Sequence, residues 1–215
     1  MGLYAVNGVV CPELGLTKNS NADLVFSTID STNQKASNIK LIFEIKMSIV
    51  NNYEYDKEKN KTIFVGDYKT HKGNPSILRS DSMLKAIGKA INIRVSGVVS
   101  SKIPILIMGS SPITTSYKEK VDFLKQAGVT QGFISLYPTP SKDFVKETTN
   151  KGFQTFNDYN TLGTFITHLI SSDMNFFSSM LPKKNLGEII TISANENTDK
   201  EKAEKFLRLL KEIKL

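Results

Sequence analysis

The sequence predicts an α/β (α+β) fold in which helices flank a mixed β-sheet. Short apolar runs rich in β-branched residues dominate its first half, and its second half alternates helical spacing with further short runs. With 215 residues, 40% of them hydrophobic, the chain can bury one substantial core. We expect one main domain over residues 1–175, and a C-terminal extension over 176–215 that ends in a helix and packs on the same domain.

Seven apolar runs predict strands, because β-branched and aromatic side chains suit a pleated, partly buried backbone. They cover residues 4–10, 24–29, 39–45, 63–65, 103–108, 132–136 and 153–156. The polar stretch 51–61 predicts an exposed loop or a hairpin tip. The first half is therefore predicted to be a β-meander, and the second half to alternate helices with strands.

The clearest helix begins near Ser80 or Asp81, either of which can cap its first turn. The side chains expected to face inward are Met83, Leu84, Ile87, Ala90 and Ile91. Further helices are predicted over residues 117–127, 141–149, 158–170 and 198–213. Gly128 can end the first of these in a left-handed conformation, and Thr198 with Glu201 forms a capping box at the start of the last.

Composition limits the classes of function. The chain has 28 Lys and Arg against 21 Asp and Glu, a formal charge of +7, which suits a polyanionic partner such as nucleic acid or an acidic membrane surface. Its one cysteine, Cys11, excludes an intrachain disulfide and a cysteine-based zinc site. No apolar run approaches the ~18 residues of a membrane span. We therefore expect a cytoplasmic protein.

Two acids stand where apolar residues dominate. Asp23 opens the second predicted strand, and Glu44 lies near the end of the third, between Phe43 and Ile45. An ionised carboxylate is costly to bury unless a cation or hydrogen bonds compensate it. If the two strands pair antiparallel through the turn at 30–37, Asp23 lies beside Glu44.

Lys46 follows Glu44 by two residues, so both side chains project from one face of the strand. The carboxylates of Asp23 and Glu44 and the carbonyl oxygen of Ile45 would supply hard oxygen ligands for Mg²⁺. The metal would polarise a phosphoryl group and make a water more acidic, while Lys46 orients that water and offsets developing charge. Asp23, Glu44 and Lys46 are therefore the predicted catalytic residues.

This layout resembles the PD-(D/E)xK nuclease superfamily, which has the restriction-endonuclease-like fold. In that family an acid opens one strand and (D/E)-x-K ends the next; here twenty residues separate Asp23 from Glu44-Ile45-Lys46. The order of helices and strands downstream is also similar, so the resemblance covers residues 3–137. Two features depart from the family. Ala22 replaces the usual proline, and no helix is predicted before the first strand. The missing helix is expected if the chain is a fragment or if another element takes that place.

The resemblance implies a nuclease core over residues 1–175 that acts as a Mg²⁺-dependent, sequence-specific endonuclease of the type II restriction class, with Mn²⁺ able to substitute. Its partner would be double-stranded DNA, and a homodimer is expected because two strands require two active sites. An upstream recognition domain is expected if the chain is a fragment. Candidates for DNA contact are Lys69 and Lys72 for phosphates, and Asn74 and Arg79 for base edges.

Several residues are alternatives within this centre. Asp67 and Lys69 form a second acid-x-Lys pair, for which Glu44 would be the upstream acid. Asp30 is the main competitor of Asp23, although its neighbours are typical of a turn. Glu13 could add a third acid.

Two other functions also fit these residues. A structure-directed or repair nuclease would use the same centre on a different substrate. A non-catalytic DNA-binding or assembly module would carry Glu44 and Lys46 only as an ion pair on one face of an edge strand.

Overall fold

A computed structural model describes residues 2–47, 51–67, 76–136, 145–172 and 183–212. The strands are β1 (Tyr4–Val9), β2 (Ala22–Ser27), β3 (Ile39–Lys46), β4 (Asn51–Asp56), β5 (Lys61–Asp67), β6 (Ile105–Gly109), β7 (Gly132–Leu136) and β8 (Phe153–Phe156). The α-helices are α1 (Ser80–Val95), α2 (Lys118–Gln126), α3 (Tyr159–Ser171), α4 (Lys183–Ser193) and α5 (Asp199–Glu212). The chain divides into two compact units, Met1–Phe176 and Phe177–Leu215.

The first unit is built on a mixed six-stranded sheet with the order β1-β2-β3-β6-β7-β8. Strands β1, β2 and β3 pair antiparallel, whereas β3, β6, β7 and β8 pair parallel. Parallel neighbours need a crossover connection, and α1 lies in the one between β3 and β6. The carboxyl ends of the four parallel strands therefore meet at one edge of the sheet. The predicted mixed sheet with flanking helices is confirmed.

Separate apolar cores lie on the two faces of the sheet. On one face, α1 and α2 contribute Met83 and Val121 to a core that includes Phe133 of β7. On the other face, Leu162 of α3 packs with Phe43 of β3 and with residues of the other parallel strands. Strand β3 lies in the middle of the sheet, which explains why its apolar run is nearly continuous rather than alternating.

Helix α1 forms where the sequence predicts it, but it turns a different face inward. Its buried residues are Met83, Ala86, Ala90, Ile93 and Arg94. Leu84 and Ile91, both expected to face inward, are 61% and 40% exposed. At about 100° per residue, the true inward face lies roughly 70° from the predicted one. Small alanine side chains allow the helix to approach the sheet closely, so Ala86 and Ala90 mark the contact better than the larger Leu84.

Arg94 is fully buried near the end of α1 and fixes that end of the helix. Its guanidinium donates hydrogen bonds to the carbonyl oxygens of Ser100, Ile103, Gly128 and Val129 and to the side-chain oxygen of Gln131. Gln131 in turn accepts a hydrogen bond from the amide of Ile105 at 2.6 Å. Burial lowers the pKa of Arg94 to about 10, so the group stays charged at neutral pH. The cluster ties α1 to the starts of β6 and β7.

Two predicted features are wrong in part. Of the two alternatives for residues 51–61, the loop is wrong and the hairpin tip is confirmed: β4 pairs with β5 in a separate two-stranded sheet, and 57–60 form its turn. Pairing with β5 outweighs the low strand propensity of the asparagine and charged residues in β4. Residues 145–149, predicted to complete a helix, are not helical. The rest of that predicted helix, 141–144, lies outside the described residues.

Asp122 of α2 sets the conformation of the segment before β8. Its buried carboxylate accepts hydrogen bonds from Thr148 Oγ1 at 2.5 Å and from the amides of Asn150 and Gly152 at 3.0 and 2.7 Å. Burial raises the pKa of Asp122, but these hydrogen bonds outweigh it and hold the pKa below its usual range. A Cβ on Gly152 would lie 2.5 Å from the backbone of α2. These contacts fix the chain locally and exclude a helix.

The second unit contains α4, which the sequence did not indicate, and α5, which contacts it. Thr198 and Glu201 form the predicted capping box at the start of α5. The Thr198 amide donates to Glu201 Oε2 at 2.9 Å, and the Glu201 amide donates to Thr198 Oγ1 at 3.2 Å. Among the described residues, no helix is both long enough and apolar enough to cross a membrane.

Replacing Gly152 with alanine should destabilise the protein, because the new methyl group would collide with the backbone of α2. We expect the free energy of unfolding to fall by about 1–3 kcal/mol in urea titrations followed by circular dichroism. Gly163 of α3 is the matched control, since its added Cβ would meet no atom within 4 Å apart from its chain neighbours and the backbone of its own helix. Gly163→Ala should raise stability by about 0.5–1 kcal/mol. Equal stability of the two variants would contradict the close approach at Gly152.

Asp122→Asn should be less stable than the wild type at neutral pH, because the three donors lose a charged acceptor worth about 1.5–3 kcal/mol. The lowered pKa of Asp122 means that its ionised form contributes fully above its unfolded-state pKa. That contribution is lost as the pH falls through the folded-state pKa. The stability difference between the two proteins, measured by urea unfolding at a series of pH values, should therefore shrink in acid. A difference that does not change with pH would contradict this assignment.

Candidate active site

Four charged side chains meet on the α1 face of the sheet, at the carboxyl end of β3; we refer to them as the charged cluster. They are Asp23 on β2, Glu44 and Lys46 on β3, and Lys89 on α1. The register that pairs Leu24 with Phe43 brings Asp23 beside Glu44. Phe43 faces the core under α3, so the alternating Glu44 and Lys46 face α1.

Each carboxylate of the charged cluster faces both ammonium groups. Lys46 pairs with Glu44 Oε1, and its Nζ lies 3.9 Å from Asp23 Oδ2 and 3.4 Å from the carbonyl oxygen of Ile45. Lys89 Nζ lies 2.6 Å from Glu44 Oε2 and 3.6 Å from Asp23 Oδ1. The amide of Ile45 donates a hydrogen bond to Asp23 Oδ2 at 2.6 Å and so orients that carboxylate.

The charged cluster is deepest at Glu44, whose side chain is 6% exposed, and most open at Asp23, which is 32% exposed. Salt screens partly buried charges less than surface charges. Glu44 Oε2 is buried, and the Lys89 ammonium 2.6 Å away compensates its charge, although the contact lacks regular hydrogen-bond geometry. A metal ion that replaced Lys89 would compensate the same oxygen.

The oxygen atoms of Asp23, Glu44 and Ile45 fit a Mg²⁺ site. Among the described residues, no group of three or more His, Cys, Asp or Glu side chains could hold a metal ion. Mg²⁺, however, commonly uses one or two carboxylates and keeps several waters. Two carboxylates and the Ile45 carbonyl would therefore hold it and leave positions for water and a phosphate oxygen.

Ser76 ties the carboxyl ends of β3 and β6 together beside the charged cluster. Its hydroxyl donates to the carbonyl oxygen of Lys46 and accepts from the amide of Ser110 at 2.9 Å. Gly109 lies against it, and a Cβ there would come within 2.6 Å of Ser76 Oγ. The backbone of Lys46 is thus held by the neighbouring strand.

The structure brings together Asp23, Glu44, Ile45 and Lys46, the residues that the sequence indicates for the centre. Strand β3 lies inside the sheet, so Glu44 and Lys46 do not form an ion pair on an edge strand. Glu44 and Lys46 do contact each other, but this contact is part of a larger arrangement that includes Asp23 of β2.

The alternative acids lie elsewhere. Glu13 accepts a hydrogen bond from the amide of Ala36 at 2.7 Å, which engages it outside the charged cluster. Asp30 is exposed beyond the carboxyl end of β2, whereas Asp23 is near the start of that strand. Asp67 ends β5, in the separate two-stranded sheet; its side chain and Lys69 lie outside what the structure describes.

Of the four candidates for DNA contact, only Arg79 is described. It precedes α1 and pairs with Asp81 of the first turn. Lys69, Lys72 and Asn74 all fall within residues 68–75, outside the described ranges. Neither Ser80 nor Asp81 caps the helix as expected, because the cap position is Arg79 and no side chain bonds there.

Lys89 is the member of the charged cluster that the sequence did not indicate. The predicted inward face of α1 places Lys89 on the solvent side. With the observed face, Lys89 lies at its edge, three residues after Ala86 and four before Ile93. The stripe from Met83 through Ala86 to Ile93 was the available signal, but the larger Leu84 and Ile91 concealed it.

No protein-family model, curated protein or solved structure matches this chain. Function is therefore inferred from the chemistry and placement of the charged cluster.

Removing both Glu44 and Lys89 should lower the free energy of unfolding by less than the sum of the two single removals. In metal-free protein, Glu44→Gln leaves two ammonium groups with Asp23 alone, and Lys89→Met leaves a buried carboxylate with one cation. Each change should lower the free energy of unfolding by about 3 kcal/mol. The double variant should lose at least about 1 kcal/mol less than the sum of the single changes. Urea unfolding in EDTA measures all four proteins.

Lys85 provides the control for this comparison, because it lies one turn before Lys89 and pairs with Asp81 at an exposed position. Lys85→Met should cost at most about 1 kcal/mol, and its effect should add to that of Glu44→Gln. If Glu44→Gln and Lys89→Met are also additive, the two side chains do not stabilise one another and the ion pair is refuted.

Proposed function

We propose that this chain is a Mg²⁺-dependent DNA endonuclease of the PD-(D/E)xK type, with Asp23, Glu44 and Lys46 as its catalytic residues. The observation that carries the proposal is the convergence of these three side chains from two neighbouring strands, at the carboxyl edge of the parallel strands. Ligands of open α/β sheets commonly bind at this edge. An ion pair that only stabilised β3 would not need Asp23 to face both lysines.

The connection of the strands supports the same proposal. After an antiparallel meander of β1, β2 and β3 comes the β4–β5 hairpin. It is followed by α1, by β6 parallel to β3, and by α2 and β7. This order of helices and strands resembles the core of the superfamily and supports the proposal.

The proposed work is divided among a few groups. Asp23, Glu44 and the Ile45 carbonyl would hold Mg²⁺, which when bound polarises the scissile phosphate and makes a nearby water more acidic. The Lys46 ammonium Nζ lies 3.4 Å from the Ile45 carbonyl oxygen. It would orient the attacking water and offset the negative charge that develops on the phosphate. The hydrogen bond from the Ile45 amide holds Asp23 in place.

Double-stranded DNA is the proposed substrate, and the formal charge of +7 favours binding to its phosphates. We further propose site-specific cleavage of the type II restriction class by a homodimer, since each strand requires a centre of its own. Arg79 would have to leave Asp81 to contact a base edge.

Cleavage of plasmid and phage DNA in Mg²⁺ tests the proposal. Glu44→Ala and Lys46→Met should reduce the rate by ~100-fold or more, because each removes charge stabilisation at the reacting phosphate. Two matched controls lie outside the charged cluster: Asp56→Asn, which loses a pair with Lys59, and Lys85→Met. Both should cleave at the wild-type rate.

The products and one further variant decide among the alternatives. Discrete fragments indicate sequence specificity, whereas cleavage confined to branched or damaged DNA indicates a structure-directed or repair nuclease. Loss of activity in Asp67→Ala but not in Lys46→Met would move the centre to the second acid-x-Lys pair, in which Glu44 remains the upstream acid. A folded wild-type protein that cuts nothing in Mg²⁺ or Mn²⁺ would contradict the nuclease proposal and leave the non-catalytic module.

A further inference from the structure

Lys89 occupies the space between the two carboxylates that a metal ion would need. Its ammonium lies 2.6 Å from Glu44 Oε2 and 3.6 Å from Asp23 Oδ1. Lys46 takes the other oxygen of each acid, Glu44 Oε1 and Asp23 Oδ2. A cation that binds both carboxylates must therefore displace one of the two lysines.

The charge balance leads to the same conclusion. Two carboxylates and two ammonium groups sum to zero, so the charged cluster is neutral without metal. A divalent cation added while both lysines remain would give a net charge of +2 within a partly buried site, where like charges repel strongly. Departure of one lysine relieves that repulsion and exposes two oxygens at once.

Lys89 is the lysine that can leave. Lys46 is held by β3 itself, two residues from Glu44, and its carbonyl is fixed by Ser76. Lys89 reaches the site from α1 on a flexible four-carbon stem. Its side chain is 17% exposed, close to the 21% of Lys46, so its origin on α1 rather than its exposure distinguishes it. It can therefore move toward solvent or toward a phosphate without any change in the sheet.

We propose that Lys89 and a divalent cation compete for Glu44 Oε2 and Asp23 Oδ1, so that the site takes up metal only by releasing Lys89. This inference rests on the proposed function and adds that Lys89 regulates metal binding at the proposed site. The lysine keeps the buried carboxylates compensated when no metal is bound. Once released, its ammonium is available to a phosphodiester at the same edge of the sheet, so that metal and nucleic acid assist each other's binding.

Calorimetric titration of the DNA-free protein with Mn²⁺ tests the competition. Lys89→Met should bind Mn²⁺ about tenfold more tightly than the wild type or better, because no cation has to be displaced. Lys89→Arg retains the charge and should bind as weakly as the wild type, and Lys85→Met should leave the affinity unchanged. Lys89→Gln repeats the test with a neutral polar side chain if methionine beside Glu44 prevents folding.

Thermal unfolding provides a second reading of the same variants. In EDTA, Lys89→Met should melt at a lower temperature than the wild type, and saturating Mn²⁺ should raise its melting temperature by more than it raises that of the wild type. Equal Mn²⁺ affinity of Lys89→Met and wild type, with a wild type that cleaves DNA, would overturn the competition alone. A wild type and a Lys89→Met variant that neither bind Mn²⁺ nor cleave would overturn the proposed function and the competition with it.

Discussion

A carboxylate buried in a central strand is the constraint on which this structure depends. Glu44 stands in an otherwise apolar run of β3, at a depth where an uncompensated charge would oppose folding. Lys46 from the same strand and Lys89 from α1 supply the compensation, one on each oxygen. Asp23 then joins the arrangement and makes it neutral. Two acids held this closely, with the Asp23 side open to solvent, are the basis of the proposed cation site.

The surrounding scaffold determines where these charges stand. Arg94 fastens the end of α1 to the loops before β6 and β7, which sets the rotation of the helix and so directs Lys89 at the sheet. Ser76 fastens the carboxyl end of β3 to β6. Both ties are hydrogen bonds to backbone carbonyls and amides and to the Gln131 side chain, rather than ion pairs.

Much of this arrangement could be predicted from local signals. Apolar runs located seven of the eight described strands, and strand alternation put Glu44 and Lys46 on one face beside Asp23. What the sequence did not indicate depended on contacts with other segments: β4 forms by pairing with β5, and residues 145–149 follow a hydrogen bond to Asp122. The rotation of α1 is the consequential case, because large exposed side chains outweighed Ala86 and concealed Lys89. Burial of small residues cannot be read from hydrophobicity alone.

Anomalous diffraction from crystals of the protein soaked in Mn²⁺ would test the central claim most directly. If the charged cluster is a metal site guarded by a lysine, a Mn²⁺ peak should lie about 2.2 Å from oxygens of Asp23 and Glu44, with the Lys89 ammonium moved away from Glu44 Oε2. The soak should use a Mn²⁺ concentration that saturates the protein in solution. The account would be contradicted if such crystals showed no Mn²⁺ at these oxygens and Lys89 still in contact with Glu44.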